Sequence, residues 1–285
     1  MHVKIIKFVI QIITSLKILP FTIFLFFVFL VKGAKIDTLT IKSKVLKRET
    51  KVLIISPTNS GDYDERYPVI YLLHGYGGDH MSWIGVAPQL KNQADQQKII
   101  FVCPDGGKGS WYFDSPIDSS IRYESYITKE LVPFIDVHFS TQAKASSRAI
   151  TGLSMGGHGA MYLAIRHIDL FGAAGSTSGG VDFTPFPNKW DIDKALGDYK
   201  LNKERWRQYT VLYLVEKLRN DQISIIIDCG LDDFFLDVNR SLHKKLLELK
   251  INHEYIEPPG GHSAIYWRNN IDRQIIFFKK SFSKS

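Results

Sequence analysis

Apolar and polar positions alternate over residues 39–45 (L-T-I-K-S-K-V), and a second strand-like stretch, 51–56, follows across Lys47-Arg48-Glu49. A period of two marks half-buried strands, and the short link predicts an antiparallel pair. Beyond a loop at 57–68, which contains Asn59, Gly61 and Pro68, the pattern changes to continuous apolar runs at 69–73 (V-I-Y-L-L), 99–103 and 223–228 (I-S-I-I-I-D). Such runs fit strands buried on both faces. Shorter strand signals lie at 149–150, 171–176 and 252–257. Between them the spacing becomes helical. Residues 121–138 carry Tyr126, Ile127, Leu131, Phe134 and Ile135, with Pro133 expected to kink the helix. A helix-compatible run follows at 160–167, and residues 236–249 place Val238, Leu242, Leu246 and Leu249 on one face. Residues 265–278 predict a closing helix. Strands alternating with helices predict an α/β fold, with a mostly parallel central sheet and helices on both faces. Ligands of such sheets bind beyond the carboxyl ends of the strands, so reactive residues are expected directly after strands.

Composition narrows the class without naming a chemistry. Of 285 residues, 45% are hydrophobic and 13% aromatic, which is globular rather than disordered. The net charge is +7, but Lys4, Lys7, Lys17 and Lys32 sit in an acid-free segment, 1–33, which leaves +3 for the rest. That surplus, with no basic stripe or binding motif, excludes nucleic acid as the expected partner. In segment 1–33 lysines come first, then the apolar run 18–31, then Gly33-Ala34. This is the order of a secretory signal. The expectation is a signal peptide or N-terminal anchor at 1–33, a single domain at 34–285, and a secreted or periplasmic protein. Contact with a membrane is expected only if the segment is retained. Cys103 and Cys229 are far apart and end apolar runs, so two buried free thiols are expected. No Cys/His cluster has zinc spacing, and no metal or cofactor is expected.

The chemistry concentrates at 148–159, R-A-I-T-G-L-S-M-G-G-H-G. Gly152-Leu153-Ser154-Met155-Gly156 is a G-x-S-x-G match between a strand signal and a helix signal, the context of a nucleophile elbow. Attack on an ester by a serine needs a base, a carboxylate to orient it, and donors for the oxyanion. In this class the chain order is serine, acid, histidine. Asp232 and Asp233 follow the strand at 223–228, and His262 follows the last strand through Pro258-Pro259-Gly260-Gly261. Adjacent carboxylates point apart, so one of the two serves, and Asp233 is the preferred choice over Asp232. His158, on the elbow helix, reads as a packing histidine. The loop His74-Gly75-Tyr76-Gly77-Gly78 resembles an H-G-G-G oxyanion loop. Its Tyr76 amide, with that of Met155, is the expected donor pair.

These stretches resemble the putative-esterase (esterase D-like) family of α/β-hydrolases. The matches are 67–78 (Y-P-V-I-Y-L-L-H-G-Y-G-G) with Trp83, 152–160 (G-L-S-M-G-G-H-G-A), Asp169-Leu170-Phe171, Leu196-Gly197-Asp198, 229–234 (C-G-L-D-D-F), and Gly260-Gly261-His262 with Tyr266-Trp267. The resemblance spans residues 37–278. It implies an α/β-hydrolase fold, with Ser154 as nucleophile, Asp233 as acid, His262 as base and the amides of Tyr76 and Met155 as oxyanion donors. Two departures are Ile168, where the family usually has proline, and Ser263-Ala264 after the histidine.

The family includes feruloyl and acetyl-xylan esterases, tributyrin-type esterases, S-formylglutathione hydrolases and mycolyltransferases. An export signal favours a short-chain or carbohydrate-linked ester over a cytosolic thioester. Acyl transfer to a sugar or glycolipid hydroxyl, an S-formylglutathione hydrolase-like thioesterase and a non-catalytic carbohydrate-binding module are the alternatives. The long segment 181–210 holds Phe183, Phe186, Trp190, Tyr199 and Trp206 and is expected to form a small cap. Trp83, Trp111 and Trp190 are candidate substrate contacts, although such aromatics can equally pack the cap onto the body. Oligomeric state is not legible.

Overall fold

The structure is a computed structural model that describes residues 33–60 and 65–283. The expected signal or anchor therefore lies, apart from Gly33, outside the described residues. Its strands are β1 (Lys35–Ser43), β2 (Arg48–Ser56), β3 (Val69–Leu73), β4 (Ile100–Pro104), β5 (Arg148–Gly152), β6 (Ala173–Thr177), β7 (Ser224–Asp228) and β8 (Glu254–Ile256). They form one sheet in the order β1-β2-β4-β3-β5-β6-β7-β8. β1, β2 and β4 pair antiparallel, and the remaining pairings are parallel. This is the α/β-hydrolase arrangement.

The pleat sorts the apolar runs onto two faces. Val69, Tyr71 and Leu73 of β3 join one core, while Ile70 and Leu72 join the other. The first core takes in the helix after the elbow, α4 (Met155–Arg166), and α8 (Leu236–Glu248) through Val238, Leu242 and Leu246. Leu249 does not join that face; it caps α8 and is exposed. The opposite core is covered by α1 (Ser82–Val86), α2 (Leu90–Gln97) and α9 (Ala264–Phe282). The order of elements places the ends of β3, β5, β7 and β8, and the loops that follow them, on one rim.

A further sequence expectation is modified. Residues 123–138 are helical, but Tyr126–Leu131 is a π-helix leading into α3 (Val132–His138). Pro133 thus sits in the first turn of α3, where its missing N–H matters least, instead of kinking a continuous helix. The segment 181–210 contains α5 (Ile192–Leu196) and α6 (Lys203–Tyr209), followed by α7 (Val211–Leu214). Its Phe183 and Trp206 are fully buried. The insertion is fastened by its own aromatics, Phe183 and Tyr199 both packing edge-on against Trp206. Cys103 and Cys229 are buried free thiols.

Candidate active site

β5 delivers its last residues into a turn with little room. Ser154 adopts φ 57° and ψ −118°, a left-handed conformation that side chains rarely take. Its amide donates to Thr177 O (3.0 Å), and its carbonyl accepts from Gly157 N and Gly180 N. The flanking glycines are required by contact. A Cβ on Gly152 would lie 2.4 Å from the Gly156 carbonyl carbon, and one on Gly156 would lie 2.2 Å from Leu73 O. The elbow and the end of β3 are therefore pressed together, with Ser154 at the top.

His262 is brought over by two crossing loops. Leu231 N donates to Pro258 O and Asp232 N to Gly260 O, so the loop after β7 is bonded to the loop after β8. The crossing is tight. A Cβ on Gly230 would meet Gly260 O at 2.1 Å, and Gly260 itself has φ +126°. The Phe235 amide donates to Asp233 Oδ1 (2.8 Å), turning the carboxylate inward. Asp233 is buried and Asp232 exposed, so the neighbouring carboxylates do point apart.

The result is a hydrogen-bonded row. His262 Nδ1 lies 2.9 and 3.1 Å from the two oxygens of Asp233, and His262 Nε2 lies 2.9 Å from Ser154 Oγ. The carboxylate holds the ring proton on Nδ1, which leaves Nε2 bare to accept from the serine hydroxyl. Burial opposes charge on Asp233, but the hydrogen bond and charge of His262 and the Phe235 amide outweigh it, so its carboxyl is held below its usual range. It is thus an anion at neutral pH.

The loop after β3 closes the other side. A Cβ on Gly75 would touch Leu153 Cδ1 at 2.8 Å and Ser154 Cβ at 3.3 Å, so this backbone runs against the elbow. Among the described residues, the amides of Tyr76 and Met155 donate to no protein acceptor. Met155 opens α4, where the first amides have no intrahelical partner. The His74 ring, which sequence reasoning passed over, pins the loop: its Nε2 accepts from Gly106 N (2.8 Å). Burial keeps its pKa low, so the ring is neutral and able to accept.

The proposed substrate contacts fare differently. Trp83 is 1% exposed and donates its indole N–H to Leu73 O (2.9 Å), so it braces the end of β3 and offers no surface. Trp111 is equally buried, with its ring against His158 and Phe183. Both are corrections to the expectation of aromatics at the mouth, because each indole finds its partners inside. Trp190 is half-buried and stacks on Phe234, with centroids 5.9 Å apart. Phe234 is 52% exposed and its ring lies 4.3 Å from that of His262. It was not singled out, although its place directly after Asp233 was the available signal. His158 packs within the aromatic cluster, and burial pushes its pKa down to about 4. Ser263 caps α9 by accepting from Tyr266 N, which gives that departure from the family pattern a structural role.

Comparison with known proteins agrees with this architecture. The profile of the family described as "Putative esterase" matches residues 43–278. Esterase Rv1288 of Mycobacterium tuberculosis is 29% identical over 241 residues, 74% of this chain and 52% of that protein. This chain thus spans about half the length of that relative. An acetyl esterase of Caldicellulosiruptor saccharolyticus is 28% identical over 257 residues, covering 84% of this chain and 96% of its own. Among solved structures, a ferulic acid esterase superimposes with TM-score 0.74 at 26% identity, covering 87% of this chain and 98% of its own.

Proposed function

This chain belongs to the family described as "Putative esterase", and from that premise we propose that it is a serine carboxylesterase acting through Ser154, His262 and Asp233. The observation that carries the reading is the continuous row from Asp233 through His262 to Ser154 Oγ, each link at 2.9 Å. In this mechanism Ser154 Oγ attacks the ester carbonyl carbon while His262 Nε2 takes the hydroxyl proton. The carbonyl oxygen becomes an anion received by the amides of Tyr76 and Met155. Collapse of the tetrahedral intermediate breaks the bond to the alcohol, which leaves with the proton from His262. Water then attacks the acyl-serine, giving its proton to His262, and the carboxylic acid is released as Ser154 recovers its hydrogen. Asp233 stays ionised throughout and stabilises the imidazolium.

The substrate class we propose is a short-chain or carbohydrate-linked ester of acetyl or feruloyl type. The acetyl esterase and ferulic acid esterase relatives, similar over most of their lengths, support it. The half-exposed Phe234 beside His262 offers an apolar face for a small acyl group or a phenolic ring. The lysine-led apolar segment 1–33 supports export, and an exported enzyme would meet such esters outside the cytoplasm.

The test is a panel of acetyl, butyryl and feruloyl esters and acetylated xylan, assayed with the full chain and with Ser154→Ala. The expected outcome is hydrolysis of acetyl or feruloyl esters by the full chain and a loss of about 10⁶ in kcat in the variant. Retained activity in Ser154→Ala would overturn the mechanism. Activity confined to long acyl chains or to thioesters would overturn the substrate class.

A further inference from the structure

The insertion carries two consecutive non-glycine residues with left-handed backbone, Trp190 (φ 56°) and Asp191 (φ 57°). Such conformations persist only where surrounding contacts impose them, and they gather at functional sites. Here the contacts run to both sides of Ser154. Trp190 O accepts from the Trp111 indole (3.2 Å), and the Trp190 ring stacks on Phe234, which faces His262. Asp191 Oδ2 accepts from the hydroxyl of Tyr76 at 2.5 Å. Tyr76 is the residue whose amide is free beside the elbow.

The rest of the loop is fastened at its backbone. Tyr112 Oη donates to His74 O (3.1 Å), and Gly77 N donates to Lys108 O (2.7 Å). The Tyr76 ring lies over Gly109, where a Cβ would come within 2.9 Å of its edge, and Lys108 Nζ sits 5.5 Å from its centroid. The hydroxyl bond to Asp191 holds the far end of that ring. With the ring fixed at its tip and along its edge, the Tyr76 backbone loses the freedom to rotate, and its amide keeps one direction.

Resting on the serine-esterase reading above, we propose that Asp191 is a positioning residue: by accepting the Tyr76 hydroxyl it aims the Tyr76 amide at the developing oxyanion. Hydrogen bonds weaken steeply as the donor turns away from its acceptor. The oxyanion exists only in and around the transition state, so loosening the amide should cost kcat and leave substrate binding nearly unchanged. The carboxylate also brings a negative charge close to a site that must stabilise another. Lys194 Nζ at 2.8 Å and Lys108 Nζ at 4.0 Å offset it. The hydrogen bonds from Lys194 and Tyr76 also hold the Asp191 carboxyl below its ordinary range, so it remains an acceptor at neutral pH.

The experiment uses the full chain with Asp191→Ala, Asp191→Asn, Tyr76→Phe and the double variant Tyr76→Phe/Asp191→Ala. Steady-state hydrolysis of p-nitrophenyl acetate is measured together with inhibition by an alkylboronic acid, whose boron is converted by Ser154 into a tetrahedral anion. Loss of a whole oxyanion donor costs on the order of 10²–10³ in kcat, so misdirecting one should cost about tenfold. Asp191→Ala and Tyr76→Phe are each expected to lower kcat by that factor with KM within about twofold, and to weaken the boronic acid in parallel. The double variant should match the single ones, because both remove the same bond. Asp191→Asn keeps an acceptor oxygen and should recover most of the rate. The pH midpoint of kcat/KM should not move, since His262 and Asp233 are untouched.

Unchanged kcat, a loss confined to KM, or additive losses in the double variant would overturn the proposal. If Asp191→Ala fails to fold, Tyr76→Phe, which removes the same bond from its other end, carries the same decision. Ser154→Ala, run in parallel, separates the two levels. Activity surviving in it defeats the serine reading and this proposal together. Activity lost in it, with Asp191→Ala and Tyr76→Phe silent, defeats the positioning role alone.

Discussion

Ser154 stands between two walls built on different principles. On the His262 side the ring is surrounded by aromatics, with Phe234, Trp267 and Phe235 at centroid distances of 4.3, 5.0 and 5.6 Å and one buried carboxylate behind it. On the Tyr76 side the loop is fixed by polar bonds to Gly106, Tyr112, Lys108 and Asp191. The difference follows from what each wall holds. In the proposed mechanism the histidine wall governs a proton, and low-dielectric packing strengthens the few hydrogen bonds that direct it. The tyrosine wall presents backbone amides, which cannot be replaced by a better side chain and must be aimed by whatever grips the loop.

The sharpest way to break this comparison is at the carboxylate. Asp233→Asn is expected to lower kcat by about 10⁴, because the amide no longer favours the required ring tautomer. Asp232→Asn, whose side chain is exposed, should stay within about threefold by the same measure. Steady-state kinetics on one acetyl ester decides it, and equal losses would remove the assignment of Asp233.

The elbow itself gives the next largest effect, in stability. The Cβ of Gly156→Ala would sit 2.2 Å from Leu73 O, a backbone atom that cannot step aside. Overpacking of this kind costs about 1–3 kcal/mol or more. A chemical denaturation midpoint unchanged from the parent would show that the two strands are not locked together.

Acid stability gives a smaller signal with a definite sign. The Asp233 carboxyl is held below its ordinary value of 3.8 in the folded chain. Such a group stabilises the fold fully above its unfolded pKa and loses that contribution as pH falls through the folded one. The melting temperature should therefore decline below pH 3.8 more steeply in the parent than in Asp233→Asn. Parallel curves would show that His262 does not hold the carboxyl down. Asp228, five residues earlier, shifts the other way: burial raises its pKa despite hydrogen bonds from Thr177, Gln274 and Tyr266. Burial wins at Asp228, the last residue of β7, whereas at Asp233 in the following loop the His262 partner and the Phe235 amide outweigh it.

The smallest effects divide packing aromatics from surface ones. Trp83→Phe deletes the donor to Leu73 O and should cost about 1 kcal/mol of stability, with KM unchanged. Phe234→Ala, at an exposed ring, should raise KM for aromatic acyl esters a few-fold and leave stability within about 0.5 kcal/mol. Thermal melts alongside KM values distinguish the two, and interchanged outcomes would refute the division.

Much of this fold and site is legible in the sequence. Buried strands announce themselves as unbroken apolar runs, so β3, β4 and β7 stand out, and the glycines around Ser154 and His262 mark where backbone passes close to backbone. For Trp83 and Trp111 the sequence leaves substrate contact and packing both open, because an aromatic in a loop has no periodicity to report which way it faces. Phe234 was passed over for the same reason. Pro133 signalled a disruption, but whether a helix kinks or widens into a π-turn depends on the packing around it.

By itself, then, the sequence determined the succession of strands and helices along the chain, the positions of Ser154, Asp233 and His262 after their strands, and the glycines their turns require. These are consequences of local sterics and periodic burial, which neighbouring residues express directly. Only the tertiary structure decided that Phe234 lies beside His262, which tryptophans are buried, and that Asp191 reaches across 115 residues to Tyr76. Those relations join segments remote in sequence. Each was set by how the insertion and the rim loops pack, a three-dimensional fit that no single stretch of chain carries.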